Sequence, residues 1–280
     1  MYDILQTIAY YSIGCLIILT LLTILVSRES IRYSIKCSFF AVCMTVPAGL
    51  FLPFSLLRIG DWRNALPTAW CIKKCMNILG VTLHVRGKEN IVKNSGCVVL
   101  INHQSGLDVA VVSELWPILE RCTVVAKKEI LYFGLFGIAC WSWGTIFINR
   151  QKSAEAHNAL NSAVKHITDL KKKVIIFPEG HRHSGSVLIP FKKGAFHLAI
   201  SSQMPIQPII ISKYYFLNAK LKIFNSGECS ATILPPISTE GLSKADLPAL
   251  MEKTYEIMNK TFLETSEESL SDHMKSLKNE

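Results

Sequence analysis

Acidic residues are scarce in this chain: 21 Asp and Glu stand against 30 Lys and Arg among 280 residues, a formal net charge of +9. Charge of either sign is missing from Ile4 to Ser27. Paired cysteines are also lacking. Nine are scattered, several in apolar runs (Cys15, Cys37, Cys43, Cys140), and only Cys71 and Cys75 lie close together, with no matching pair elsewhere. This pattern argues against a disulfide scaffold or a zinc site and suits reduced core thiols facing the cytosol. No Gly-x-Ser-x-Gly elbow, P-loop or His-Glu-x-x-His pattern occurs, so the signatures of serine hydrolases, phosphate-cradling loops and zinc proteases are absent.

What the chain has in quantity is apolar sequence, half of all residues, concentrated at the front. The run Ile4–Ser27 is long enough for a helix through a hydrocarbon core, which takes roughly 20 residues. A cleaved signal peptide would want a basic start, whereas the chain opens "MYDI", so an uncleaved membrane helix is expected. A second uncharged run, Cys37 to Leu57, carries Pro47 and Pro53 and is expected to be kinked or to cross only in part. "RESIRYSIK" separates the two runs, and Arg58, Arg63, Lys73 and Lys74 follow the second. The positive-inside rule would place both basic flanks in the cytosol, which two full crossings cannot satisfy. One crossing plus a re-entrant or surface-lying second helix resolves the conflict. With such an anchor, the basic excess suits anionic lipid and anionic substrates better than nucleic acid.

Beyond the anchor, strand-like and helix-like segments alternate. Strands are expected at 81–87, 97–102, 122–127, 174–178, 206–212 and 230–237. Helices are expected across 108–120, 153–171 and 194–203, with a buried helix and then a strand in the uncharged run 130–149. Ser243 and Asp246 offer a capping box for a C-terminal helix bearing Leu247, Leu250, Met258 and Phe262, with a polar tail that frays after about 266. The expected fold is α/β: a mixed, largely parallel sheet flanked by helices, with an N-terminal hydrophobic helical membrane anchor. In such sheets ligands gather where loops leave the carboxyl ends of strands.

Three strand exits deliver unusual polar groups. "NHQSGLD" sets His103 five residues before Asp108. A carboxylate on one ring nitrogen would fix the tautomer and leave the other nitrogen free to take a proton. Equally, Asp108 could be a helix-start acid and His103 a turn residue, and the spacing does not choose between them. "GTIFINR" ends in Arg150, a planar fork suited to phosphate, or merely a solvated cation. "FPEGHRHSG" places Glu179 three residues before Arg182, as a turn with an internal ion pair or as part of a site. "LIPFKKGAF" sets Lys192 and Lys193 ahead of Gly194 at a helix start, a natural place for an anion. His181 and His183 lack spaced partners, so no metal site is expected.

Together these blocks are identified with a family. "NHQSGLD", "GTIFINR", "FPEGHRH", and "VLIPFKKGAF" with "MPIQPIII" resemble, in order and spacing, the signatures of the PlsC-type glycerolipid acyltransferases, and among them the 1-acyl-sn-glycerol-3-phosphate (lysophosphatidate) acyltransferases. The resemblance implies that His103 is the catalytic base and Asp108 its orienting partner. It implies substrate-binding roles for Arg150, Glu179, Gly180, Arg182, Lys192 and Gly194. The third signature departs from the usual pattern, with His181 in place of Thr and His183 in place of Ser or Asn, which bears on acceptor preference or pH response.

The implied reaction moves an acyl group from acyl-CoA to the sn-2 hydroxyl of lysophosphatidate, giving phosphatidate and CoA. No cofactor or metal is expected; acyl-CoA is a co-substrate, and lysophosphatidate and the lipid bilayer are the other partners. Glycerol 3-phosphate or another lysophospholipid as acceptor, or an acyl-CoA thioester hydrolase, are the alternatives. Residues 1–59 are expected to anchor the chain and 60–280 to form the acyltransferase domain. The expected location is the endoplasmic-reticulum membrane, with the domain on the cytosolic face.

Overall fold

A computed structural model of the protein describes residues 28–148, 164 and 168–279. The uncharged run Ile4–Ser27, Arg150 and most of the expected helix 153–171 lie outside the described residues.

Seven strands form the main sheet: β1 (Val81–Arg86), β2 (Cys97–Ile101), β3 (Cys122–Lys127), β4 (Ile146–Ile148), β5 (Lys173–Ile176), β6 (Ile206–Ile211) and, after a small hairpin, β9 (Gly227–Ile233). Their order is β1-β9-β6-β2-β5-β3-β4. The block β6-β2-β5-β3-β4 is parallel throughout, β9 runs antiparallel to β6, and β1 runs parallel to β9. The sheet is therefore mixed and largely parallel. The hairpin, β7 (Leu217–Asn218) with β8 (Ile223–Phe224), gave no periodicity to read in so short a stretch.

Both faces of the sheet are covered, which is why its central strands are continuous apolar runs rather than alternating ones. "CVVLI" of β2 is fully buried. Because successive side chains point to opposite faces, Cys97, Val99 and Ile101 join one core, with α1 (Arg28–Leu50), α3 (Leu66–Ile78) and α4 (Asp108–Leu119). Val98 and Leu100 join the other, with α6 (Gly194–Ser202) and α7 (Leu247–Asn279). The short α2 (Leu52–Leu56) follows α1, and α5 (Gly134–Ser142) crosses between β3 and β4.

Three local expectations change. "RESIRYSIK", expected only to separate the two apolar runs, forms the first turns of α1, which continues through Pro47 to Leu50. Lys36 there donates to the Leu79 carbonyl at 3.2 Å and lies over the Phe224 ring, so this basic segment is docked on the α/β body. The uncharged run at 130–149 does hold a helix and then a strand, but α5 buries only one face. Gly137, Ala139 and Cys140 point in, while Leu135, Ile138 and Trp141 are exposed. The polar C-terminus does not fray at 266, because α7 runs on to Asn279. Ser266 accepts from the Lys213 amide, Ser269 donates to Ser212, and Arg86 pairs with Glu268, so polar residues bind this part to the sheet where apolar ones run out. The capping box at Ser243 and Asp246 is formed.

Among the described residues, α1 is the one helix long and apolar enough to cross a membrane. Ile31, Ile35, Val42, Val46 and Leu50 make an exposed stripe along it, at the four- and seven-residue spacings of one helix face. α1 packs on α3, α5 and β8, and α2 packs on α5.

Candidate active site

The loop after β2 is held by its own polar residues. Asn102 extends the strand's pairing with side-chain atoms: its Oδ1 accepts from the Ile211 amide at 2.7 Å and its Nδ2 donates to the Ile211 carbonyl at 3.0 Å. Gln104 donates to the carbonyls of Ile211 and Ser212. His103 lies between these two buried anchors, so the β2 and β6 exits fix its backbone together.

The His103 ring points to Asp108. Nδ1 is 2.7 Å from Asp108 Oδ2, which also accepts from the amides of Gln104 at 2.7 Å and Ser105 at 3.0 Å. Asp108 is the first residue of α4 and only 1% exposed. Asp108 is thus a helix-start acid that accepts from loop amides, and the same oxygen is bonded to one ring nitrogen of His103. One face of the ring stacks on Phe177, with centroids 4.1 Å apart. The side chain of His103 keeps 19% exposure, so the ring is held but reachable.

The β5 exit supplies the second wall. Glu179 Oε1 accepts from the His103 amide at 2.7 Å, and its Oε2 has no hydrogen-bond partner. At 1% exposure the carboxylate faces inward to the histidine loop. Burial pushes its carboxyl up to about 7, against the pull of the backbone amides at His103 and Ile189. The His183 amide donates to the His103 carbonyl at 2.8 Å, so the third block clamps both backbone polar groups of His103. The guanidinium of Arg182 lies over Gly106, 3.8 Å from where a Cβ there would stand. Gly180 has φ +77°, and the aliphatic stem of Lys192 crosses it, 3.1 Å from the position of a Cβ. The Lys192 amide donates to the Pro178 carbonyl, and Gly194 opens α6 two residues on. Lys192 and Arg182 are both exposed.

His103, Asp108, Glu179, Gly180, Arg182 and Lys192 therefore meet at the carboxyl ends of β2 and β5, with Gly194 beside them, while Arg150 lies outside the described residues. One site residue escaped sequence reading. Tyr214, three residues past β6, donates to Asp108 Oδ1 at 2.9 Å. The β6 exit was the available signal, since the same edge that carries His103 and Glu179 also receives it. The thiol of Cys229, which lines a cavity with Tyr214, is pushed up to about 12 by burial, so it holds its proton at neutral pH. Among the described residues no group of three or more His, Cys, Asp or Glu gathers as a metal site.

The model of the family described as Acyltransferase matches residues 82–212, the span holding all of these exits up to β6. The chain is 35% identical over 238 residues to human 1-acyl-sn-glycerol-3-phosphate acyltransferase alpha, covering 85% of this chain and 83% of that protein. The chain belongs to the 1-acyl-sn-glycerol-3-phosphate acyltransferase family. It is also 38% identical over 232 residues to the Saccharomyces cerevisiae 1-acyl-sn-glycerol-3-phosphate acyltransferase, covering 81% of this chain and 73% of that one. The fold is shared with the crystal structure of the 1-acyl-sn-glycerophosphate acyltransferase PlsC from Thermotoga maritima. There the TM-score is 0.65 at 22% identity, over 84% of this chain and 97% of the other. The α/β sheet with helices on both faces is the acyltransferase architecture.

Proposed function

We propose that the chain transfers an acyl group from acyl-CoA to the sn-2 hydroxyl of 1-acyl-sn-glycerol 3-phosphate, yielding phosphatidate and CoA. One observation carries this reading: a histidine with one ring nitrogen tied to a buried carboxylate at 2.7 Å, in a chain of this family. His103 Nε2 takes the proton of the attacking hydroxyl as its oxygen bonds to the thioester carbonyl. Asp108 stabilises the imidazolium so formed. Collapse of the tetrahedral adduct breaks the C–S bond, and the imidazolium returns the proton to the departing CoA sulfur. Protons and electrons balance without a cofactor or covalent acyl-enzyme, and general-base assistance of this kind contributes about 10²–10⁴-fold. Arg182 and Lys192, exposed at the rim, together with Arg150 are the cations for the acceptor phosphate. Glu179 supports the histidine from behind.

The lipid bilayer is the third partner in this reading. Residues 1–59 anchor the chain in the endoplasmic-reticulum membrane, and 60–280 carry out transfer at the cytosolic face. The exposed apolar stripe of α1 and the apolar face of α5 support it.

The test is acyl-CoA consumption with and without lysophosphatidate, repeated with glycerol 3-phosphate and other lysophospholipids. Consumption is expected to depend on lysophosphatidate and to fall by about 10²-fold or more in His103→Ala. Consumption without any acceptor would make the chain a thioester hydrolase, and near-normal transfer by His103→Ala would remove the base.

A further inference from the structure

We propose that Tyr214 is a positioning residue for acyl transfer, its hydroxyl holding Asp108 Oδ1 and so setting how firmly Asp108 grips the protonated His103. The inference rests on His103 acting as the base.

The two oxygens of Asp108 are served unequally. Oδ2 receives the imidazole and two loop amides, whereas Oδ1 receives the Tyr214 hydroxyl at 2.9 Å. Asp108 is 1% exposed and Tyr214 5%, so bulk water cannot substitute for that donor without repacking. A donor on Oδ1 does two things. It stops rotation of the carboxylate about its Cβ–Cγ bond, keeping Oδ2 in line with Nδ1. It also draws charge away from Oδ2, moderating the attraction between carboxylate and imidazolium. Moderation matters because the imidazolium must later give its proton to the CoA sulfur.

The position of Tyr214 is set by strand register rather than by a free loop. Asn102 and Gln104, flanking His103, bond to Ile211 and Ser212, so the two exits keep one spacing. The Tyr214 ring packs against Phe216, with centroids 5.5 Å apart. Burial and the neighbouring Asp108 charge push its phenol well above the usual tyrosine range, so the hydroxyl remains a donor at every working pH. Among the described residues, the other ionisable groups facing the pair are Glu179 from the β5 exit, Cys229 from β9, and Arg182, whose guanidinium overlies Gly106. None of these bonds to the Tyr214 hydroxyl, so their influence is common to the protein and its Tyr214 variant.

The experiment compares the pH dependence of kcat/KM in the full-length protein and in Tyr214→Phe, with lysophosphatidate and acyl-CoA. Without the hydroxyl, more negative charge at Oδ2 favours the imidazolium, so the neutral base appears only at higher pH. The acidic limb is expected to move up by about half to one pH unit, kcat to fall about tenfold, and both KM values to stay within about twofold. Replacing Tyr214 with 3,5-difluorotyrosine, a stronger donor, should move the limb the other way, and it answers the question even if the phenylalanine variant folds poorly. Phe216→Leu serves as the packing control: it loosens the same ring without touching the carboxylate, so it should lower the melting temperature and leave the limb in place. An unmoved limb in Tyr214→Phe, or an equal movement in Phe216→Leu, overturns the proposal while an inactive His103→Ala leaves the base standing. Turnover by His103→Ala would overturn both.

Discussion

Two buried carboxylates serve the histidine loop, Asp108 from the start of α4 and Glu179 from the β5 exit, and their surroundings differ. Asp108 gathers four donors on its two oxygens, while Glu179 receives the His103 amide on Oε1 and nothing on Oε2. An anion with half its lone pairs unserved in a buried place is costly, and accordingly the Glu179 carboxyl is raised from 4.5 to about 7. The folded state then holds a proton that the unfolded state has already released. Stability from that proton is complete below about 4.5 and disappears as pH rises through about 7, a difference of about 3 kcal/mol. Glu179→Gln keeps an oxygen for the His103 amide but no titrating group. Its melting temperature should stay nearly level from pH 5 to pH 8, whereas the parent's should decline over that window. Equal decline in both, measured by thermal unfolding in detergent, would place the titration elsewhere. At the same scale Asp108 shows why its role could not be read from spacing. The number of residues to His103 was visible, but Tyr214, which completes its hydrogen bonds from 106 positions away, was not.

At the scale of elements, the loop after β5 turns on Gly180. A side chain at φ +77° costs about 1–2 kcal/mol, and a Cβ there would meet the Lys192 stem at 3.1 Å. Gly180→Ala is therefore expected to lift Lys192 and raise KM for the phosphate-bearing acceptor several-fold. KM for acyl-CoA should change less, and a circular-dichroism spectrum should show the fold intact. Parallel increases in both KM values would separate Lys192 from acceptor binding. The elements themselves were legible wherever burial was symmetric. "CVVLI" and "IQPIII" read as strands because both faces of the central sheet are covered, and the helix start at Asp108 was marked by its acid. Legibility failed where tertiary contacts override local pattern. "RESIRYSIK" looked like a charged connector, but Lys36 finds the Leu79 carbonyl and the Phe224 ring and the segment winds into α1. The polar end of α7 looked like a fraying tail, yet Ser266 and Ser269 use their hydroxyls on the β6 exit. Sequence periodicity registers apolar faces, and these two segments are held by polar ones.

At the scale of the whole molecule, apolar exposure is concentrated on one group of packed helices. Phe54 and Leu57 are 69% and 80% exposed at and just beyond α2. Leu135, Ile138 and Trp141 lie open on α5, which packs on both α1 and α2. Side chains so exposed contribute little to the folded state, and grouped exposure of this kind marks a surface that meets something apolar. In the proposed reaction that is the bilayer holding the acceptor, with the +9 net charge adding attraction to anionic headgroups. The face then delivers the site to the lipid rather than performing chemistry, so damage to it should depend on how substrate is presented. The double variant Phe54→Glu, Leu57→Glu is expected to lose about tenfold or more of its transfer to lysophosphatidate embedded in anionic vesicles, because each acid must leave water to reach the acyl region. Transfer to a short-chain lysophosphatidate dissolved as monomer should hold within about twofold of the parent, since neither side chain is required for packing. Equal losses with both acceptors would mean that these residues support the active site through the fold, and the bilayer would have to be met by another surface.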